Sequence, residues 1–185
     1  MKQLCVFCGS RTGTAPVYAE ETRQLGAAMV RRGFGLVFGA GHVGLMGVLA
    51  DAVRAGGGST TGVIPKALVE RELAHQQLTD LRIVESMHDR KALMAGLSDA
   101  FLALPGGFGT LDELFEILTW AQLKFHAKPI GLLNSAGFFD PLLTWIDRAI
   151  AEDFVKAKNR ELLIVESDVE KMLQRLETAM AESTK

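Results

Sequence analysis

One stretch of the sequence decides the fold: residues 100–113 read AFLALPGGFGTLDE. The first five residues, Ala100–Leu104, are continuously apolar and predict a short strand that is buried on both faces. Residues 105–110 form a glycine-rich turn, and the apolar spacing from Leu111 to Leu123 predicts a helix after it. Such a turn exposes backbone N–H groups at the positive end of a helix dipole, which attracts phosphate. We therefore interpret this stretch as a strand–turn–helix unit that binds an anionic ligand.

Strand and helix patterns alternate along the rest of the chain. The predicted strands are Leu4–Cys8, Gly35–Phe38, Thr60–Ile64, Leu81–Val84, Ala100–Leu104, Ile130–Leu133 and Leu162–Val165. The predicted helices are residues 16–32, 44–55, 66–73, 89–97, 111–123, 139–151, and a last helix opened by Ser167-Asp168-Val169-Glu170 as a capping box. Helices between short apolar strands predict right-handed crossovers and a parallel sheet. We predict one Rossmann-like domain over residues 1–185, a doubly wound α/β fold with helices on both faces.

Composition narrows the class of protein. A chain of 185 residues is long enough for one domain with a core, and 48% hydrophobic residues argue against disorder. The net charge of −2, without a basic run, argues against a large nucleic-acid surface. The apolar stretch Leu4–Cys8 is too short for a signal peptide or a membrane span. We therefore expect a cytoplasmic protein that binds neither nucleic acid nor membrane.

The cysteines and histidines do not predict a metal or redox centre. Cys5 and Cys8 have C-x-x-C spacing, but no second pair completes a zinc site. Residues three apart in a strand point to opposite faces, so a redox pair would require Cys5 to lie outside the strand. We predict core or loop thiols and no metal, because no ligand spacing relates the four histidines, His42, His75, His88 and His126.

Ligands in doubly wound sheets bind beyond the carboxyl ends of the strands. Four glycine-rich or polar segments fall there: residues 9–11, 39–44, 86–91 and 105–110. Segment 39–44 matches G-x-G-x-x-G, but no acidic residue follows between Ala52 and Val69 to hold the ribose of a dinucleotide. Phosphate or ribose contacts to a mononucleotide fit better, and a tight strand–helix turn is the alternative. The candidate contacts are Gly9, Ser10, Gly41 and Gly44.

Two basic residues stand near a predicted helix start. Apolar residues three, four and seven positions after Arg90 place it on an inward-facing stripe. Arg90 and Lys91 in a first helical turn also oppose the helix dipole unless an anion compensates. The alternative is a solvated pair, with Arg90 lying along the surface on its apolar stem. We favour a ligand-binding role for Arg90 and leave both interpretations open for Lys91.

Glu113 has two interpretations. Residues 110–113 have capping-box form, in which Thr110 caps the helix and Glu113 reaches back to the Thr110 amide. Alternatively, Glu113 is a catalytic carboxylate that faces a part of the ligand away from the phosphate. We expect its neighbours Asp112 and Glu116 to be ordinary residues of the helix surface.

Several ordered motifs resemble those of the Lonely Guy (LOG) family. PGGFGTLDE is similar to the family signature P-G-G-x-G-T-x-x-E, and MHDRK at residues 87–91 is similar to its M-H-x-R-K element. The other matching segments are Val6–Ser10, residues 37–47 and Thr119–Leu123, so the likeness covers almost the whole chain. One departure lies in the second glycine loop, residues 39–44, which follows the second predicted strand. Ala40 stands there where the family usually has a glycine, and it adds a methyl group to this loop.

The resemblance implies an enzyme that hydrolyses the N-glycosidic bond of N6-modified adenosine 5′-monophosphates, releasing a cytokinin base and ribose 5-phosphate. It implies catalytic roles for Arg90 and Glu113 and a homodimer. The substrate contacts that it implies are Glu72, Arg90, Lys91, Gly107, Phe108, Gly109, Thr110, Leu111, Asp112, Glu113 and Thr119.

Three alternatives concern cofactor and reaction. An older family label, lysine decarboxylase, implies a pyridoxal cofactor, but no residue stands out as a Schiff-base lysine, and we expect no cofactor. A non-catalytic nucleotide-binding module would use the same turns to hold a nucleotide intact. A glycosidase of the same fold would act on a related nucleotide monophosphate such as AMP.

Overall fold

The computed structural model describes residues 1–69, 75 and 77–183. Its strands are β1 (Lys2–Phe7), β2 (Phe34–Phe38), β3 (Thr60–Pro65), β4 (Asp80–Val84), β5 (Ala100–Ala103), β6 (Ile130–Leu133) and β7 (Leu163–Glu166). They form a seven-stranded sheet of order β4-β3-β2-β1-β5-β6-β7, in which every neighbouring pair is parallel. The predicted doubly wound parallel sheet is confirmed.

Helices connect the strands on both faces of the sheet. They are α1 (Pro16–Arg31), α2 (Gly44–Ala55), α3 (Met87–Leu97), α4 (Phe108–Gln122), α5 (Asp140–Ala151) and α6 (Val169–Ser183). Of the helix predicted at residues 66–73, the structure describes a 3₁₀ turn at Lys66–Leu68, and residues 70–73 lie outside the described part. No helix among the described residues is long and apolar enough to cross a membrane.

Two apolar cores hold the helices against the sheet. Side chains such as Leu25, Leu49 and Leu173 pack α1, α2 and α6 on one face. Met94 and Leu114 pack α3 and α4 on the other face, together with α5. Both cysteines are buried and free, so the prediction of core thiols is confirmed.

Two helices, α3 and α6, begin at other residues than the sequence predicted. Helix α3 begins at Met87 because Ser86 and Asp89 form a capping box, with Asp89 N–H donating to Ser86 Oγ at 3.1 Å. At α6, the cap is Asp168 and not the predicted Ser167: the Asp168 side chain accepts the Lys171 backbone N–H at 2.8 Å. The sequence pattern contained both polar groups, but which one reaches the helix end depends on where the preceding strand stops.

The strand order reverses between β1 and β5, which lie side by side in the sheet. The chain leaves β1 towards α1 on one face and leaves β5 towards α4 on the other. The loops after these strands therefore diverge and open a crevice at the carboxyl edge of the sheet. This switch point positions the candidate site.

Candidate functional site

Backbone contacts hold together the loops that follow β1, β2 and β5. Gly9 N–H donates to the Pro105 carbonyl at 3.0 Å, and Leu45 N–H donates to the Gly9 carbonyl at 3.0 Å. Gly44 has φ of +68°, and a Cβ there would lie 2.2 Å from the carbonyl carbon of Ser10. The tight-turn interpretation therefore explains the glycine at 44, and its contact with a ligand stays a prediction.

A cavity of about 230 Å³ lies at the switch point. Backbone from the loops after β1 and β5 forms one side, including Gly9, Ser10 and Gly107. The rings of Tyr18 and Phe138 form part of the other side and contact each other edge to face at 5.7 Å between centroids. The structure thus brings the glycine loops that follow β1 and β5 to one opening.

The amino end of α4 faces this opening without a side-chain cap. Gly107 is the N-cap residue and Phe108 is the first residue of the helix. Thr110 therefore lies inside the first turn, buried, and a Cβ on Gly106 would lie 2.0 Å from its Oγ1. The capping-box interpretation of Thr110 and Glu113 is wrong, because the helix starts three residues earlier than predicted. The first N–H groups of an α-helix have no intrahelical acceptor, and the N-cap residue Gly107 provides no side chain to accept from them.

Arg90 points inward, as predicted. It is only 6% exposed, and its Nη2 donates to the Gly39 carbonyl at 2.9 Å. A Cβ on Gly39 would lie 1.9 Å from that Nη2, so the guanidinium requires a glycine at position 39. Arg90 opposes the dipole of α3 less than predicted, because the helix starts at Met87 and the acidic residue Asp89 lies in its first turn.

Lys91 ties α3 to α4. Its Nζ lies 3.1 Å from Asp112 Oδ2 and 3.1 Å from Glu116 Oε1, so the solvated-pair interpretation is wrong for this residue. Burial lowers the pKa of Lys91, but the hydrogen bonds that its ammonium donates to Glu116 and Asp112 outweigh this effect, and the pKa lies above its ordinary value. Asp112 and Glu116 are thus ion-pair partners rather than ordinary surface acids.

Glu113 and Arg90 converge over β1. Burial raises the pKa of the Cys5 thiol; the Glu113 carboxylate raises it further, and the Arg90 guanidinium lowers it. Glu113 also adds to the effect of burial in raising the pKa of Cys8. Helices α3 and α4 pack against the face of β1 that carries Cys5, so Arg90 and Glu113 lie on the two helices of the same side of the sheet. The ion pair between Lys91, the residue after Arg90, and Asp112, the residue before Glu113, joins the two helices.

The remaining predicted contacts are spread more widely. Phe108 is 96% exposed at the start of α4. Thr119 lies six residues after Glu113, about 9 Å along the helix axis, and its hydroxyl donates to the Phe115 carbonyl at 2.7 Å. Glu72 lies outside the described residues. Among the described residues, no group of His, Cys, Asp and Glu side chains is arranged to hold a metal ion.

Sequence reasoning missed a histidine cluster beside the second loop. The rings of His42 and His75 lie edge to face at 5.3 Å between centroids, and His75 Nε2 lies 3.1 Å from Asp51 Oδ1. These three residues come from different segments of the chain. No spacing rule relates them, so only the tertiary fold reveals their contact.

A doubly wound sheet with a crevice at the switch point and a glycine turn before a helix is the arrangement in which α/β proteins bind phosphate-bearing ligands. The sequence model of the family described as "Possible lysine decarboxylase" matches residues 46–176. A rice (Oryza sativa subsp. japonica) protein named probable cytokinin riboside 5′-monophosphate phosphoribohydrolase LOGL1 is 47% identical over 95% of this chain and 78% of its own. The cytokinin riboside 5′-monophosphate phosphoribohydrolase LOG7 of Arabidopsis thaliana is 47% identical over 95% of this chain and 81% of its own. The chain belongs to the Lonely Guy (LOG) family.

Solved structures share the fold at low sequence identity. A molybdenum cofactor binding protein from Rippkaea orientalis superposes with a TM-score of 0.73 at 21% identity, covering 96% of this chain and 97% of its own. The Moco carrier protein from Chlamydomonas reinhardtii gives a TM-score of 0.72 at 20% identity, covering 98% of both chains. These likenesses confirm the α/β fold.

The lysine in the candidate site does not suit the decarboxylase description. A Schiff-base lysine needs a neutral, free amine with a lowered pKa. Lys91 Nζ is instead held by two carboxylates, and its pKa is raised. Lys91 is therefore unsuited to form a Schiff base with a pyridoxal group.

Proposed function

We propose that residues 1–185 act as one hydrolase domain that cleaves the N-glycosidic bond of N6-modified adenosine 5′-monophosphates. The observation that carries this proposal is the position of buried Arg90 on α3 and half-buried Glu113 on α4, two helices that pack on one face of the sheet beside the glycine turn. The relatives at 47% identity are named for the same hydrolysis. Water adds to C1′ of the ribose as the C1′–N9 bond breaks, and the base leaves with a proton as the second product beside ribose 5-phosphate.

The substrate phosphate is assigned to the turn before α4. Backbone N–H groups of residues 107–110 carry the positive end of the helix dipole, and no side chain among the described residues caps them. The absence of a Cβ at Gly107 and Gly109 leaves this backbone open, since an added Cβ would meet nothing within 4 Å at either position. Gly9, Ser10, Gly41 and Gly44 are the further contacts proposed for phosphate or ribose.

Glu113 is assigned to the ribose end of the ligand. Cleavage of a glycosidic bond builds oxocarbenium character on the sugar, and a carboxylate beside it stabilises that charge, aligns water or attacks C1′. Arg90 stays charged and is a poor proton donor. Fixed on the Gly39 carbonyl at 2.9 Å, its guanidinium places a positive charge that holds the Glu113 carboxylate ionised and orients the substrate.

Replacing Glu113 tests the assignment directly. We expect Glu113→Gln to release free base from isopentenyl-AMP at least about 100-fold more slowly, because the carboxylate charge is lost where cationic character develops. Circular dichroism checks that the variant folds, because loss of the carboxylate charge near the buried Arg90 guanidinium is expected to lower the free energy of unfolding. Liquid chromatography of the reaction mixture measures the base.

The matched control is Glu116→Gln, the same exchange one turn later on α4. We expect its rate within about threefold of wild type, because Asp112 still holds Lys91. Wild-type turnover in Glu113→Gln would contradict the proposed role of Glu113. Intact nucleotide after incubation with the wild type would favour a non-catalytic binding module.

A panel of nucleotide monophosphates decides the substrate within this class. Wild-type protein is incubated with AMP, isopentenyl-AMP and a pyrimidine monophosphate, and base release is compared. Preference for the N6-modified substrate supports the proposal, whereas equal or faster turnover of AMP assigns a broader AMP glycosidase.

The assembly and location belong to the same proposal. We expect a cytoplasmic homodimer that binds no nucleic acid, in line with the family resemblance. The 96% exposed ring of Phe108 beside the site is one apolar group that a second subunit would cover. Light scattering coupled to size exclusion measures the mass, and a monomer at micromolar concentration would overturn the dimer.

A further inference from the structure

His75 is anchored at three points, although nothing in the sequence marks it. The residue is 3% exposed, and its backbone N–H donates to the Ala40 carbonyl at 2.9 Å. Its Nδ1 accepts the Gln77 backbone N–H at 3.3 Å. Because a backbone N–H is always a donor, the ring proton is assigned to Nε2, which donates to Asp51 Oδ1 at 3.1 Å.

These anchors reach the second loop, which follows β2. The His75 ring packs edge to face on His42, and the His75 backbone holds Ala40. Ala40 is fully buried with φ of +61°, a left-handed conformation that is unfavourable for a residue with a Cβ. Such a conformation persists only where the surroundings over-determine it.

The conformation of Ala40 sets the direction of two neighbouring carbonyls. The Ala40 carbonyl accepts from His75, and the Gly39 carbonyl accepts from Arg90 Nη2 at 2.9 Å. The φ and ψ angles of Ala40 relate these two peptide planes. Return of Ala40 to the right-handed region would therefore turn one carbonyl away from its partner.

We propose that His75 is a positioning residue of the hydrolase site: it holds Ala40 in the left-handed conformation that presents the Gly39 carbonyl to Arg90. This inference rests on the proposed function, because it assigns to Arg90 a place in catalysis. Among the residues that the structure describes, the titratable groups in contact with the His75 ring are His42 from the second loop and Asp51 from α2, which also pairs with Arg54 at 3.5 Å.

The test compares His75→Ala with a matched control, His126→Ala. His126 is built in the same way, with Nδ1 accepting the Lys128 backbone N–H at 3.1 Å and Nε2 bonded to the Ile117 carbonyl at 3.0 Å. It precedes β6 at the opposite edge of the sheet. We expect His75→Ala to lower kcat about 10- to 100-fold with a smaller change in KM, and His126→Ala to change kcat less than about twofold.

Two further variants separate positioning from mere stability. His75→Gln keeps a donor for Asp51 and is expected to recover most of kcat. In the Arg90→Ala background, His75→Ala should cost less than about twofold, because its effect passes through Arg90. If His75→Ala does not fold by circular dichroism, Asp51→Ala replaces it, since the Asp51 side chain is 62% exposed.

The outcomes distinguish this inference from the proposed function. An active wild type with unchanged kcat in folded His75→Ala overturns the positioning role alone. Equal losses from His75→Ala in the wild-type and Arg90→Ala backgrounds overturn it as well. A wild type that releases no base from any nucleotide monophosphate overturns the proposed function on which the inference rests.

Discussion

At the scale of single residues, Gly39 is the position on which Arg90 depends. The guanidinium occupies the space of a Cβ at this position, with Nη2 1.9 Å from the ideal Cβ. Sequence reasoning placed Arg90 inward from its apolar stripe, and this prediction is confirmed. It could not assign Gly39 as the partner, because 51 residues separate the two and only the sheet brings them together.

Gly39→Ala should therefore displace Arg90. We expect kcat/KM for base release to fall about 100-fold, because the guanidinium moves by the width of a methyl group. Michaelis–Menten kinetics with isopentenyl-AMP measures the change. A variant with wild-type kcat/KM would show that Arg90 acts from another position or does not act at all.

The matched control is Gly96→Ala on α3, the helix that carries Arg90. Nothing lies within 4 Å of a Cβ added at Gly96. Alanine is the better helix former, so the free energy of unfolding should rise by about 0.5–1 kcal/mol. Base release should stay at the wild-type rate, which separates helix stability from displacement of Arg90.

At the scale of elements, helix starts decide which polar residues are free for a ligand. Helix α4 begins at Phe108, so Thr110 and Glu113 lie inside it and do not cap it. The sequence pattern allowed both a cap and a catalytic carboxylate, because the same T-x-x-E spacing at residues 110–113 fits a capping box and a site carboxylate. The structure excludes the cap, since β5 ends at Ala103 and leaves residues 104–107 for the turn. The catalytic role of Glu113 stays a prediction.

Ser86→Ala tests the cap that the structure assigns to α3. Ser86 Oγ accepts the Asp89 N–H, and Asp89 Oδ2 accepts the Ser86 N–H, both at 3.1 Å. We expect the substitution to lower the free energy of unfolding by about 1 kcal/mol. Urea denaturation followed by circular dichroism measures it.

The control is Ser167→Ala, at the residue that the sequence pattern predicted as the cap of α6. We expect a change below about 0.5 kcal/mol, because Asp168 accepts the N–H of Lys171. Equal losses in the two variants would contradict the assignment of both caps.

At the scale of the whole molecule, two buried thiols couple folding to pH: Cys5 on β1 and Cys8 directly after it. Burial raises the pKa of Cys5 and of Cys8 far above the value of 9.0 for an unperturbed thiol. The folded protein therefore keeps both thiol protons where the unfolded chain has lost them. The sign follows: the free energy of unfolding is unaffected by these groups below about pH 8 and falls as pH rises beyond 9.

Each thiol should contribute a slope of up to about 1.4 kcal/mol per pH unit in that range. Urea unfolding at pH 8, 9 and 10 measures the slope, and Cys5→Ala/Cys8→Ala should show a flatter one. A thiol reagent should label the folded protein slowly at pH 8 and both thiols rapidly in denaturant. Rapid labelling of the folded chain would contradict the burial of the thiols.

The sequence by itself determined the doubly wound sheet, the carboxyl edge as the place of the site, and the inward position of Arg90. Short apolar strands that alternate with amphipathic helices allow few other arrangements, and these signals lie within segments of about ten residues. Only the tertiary structure decided the partners: Gly39 for Arg90, Asp112 and Glu116 for Lys91, and Ala40 for His75. Such contacts join residues that are distant in the chain, and they form only when the sheet aligns the ends of its strands.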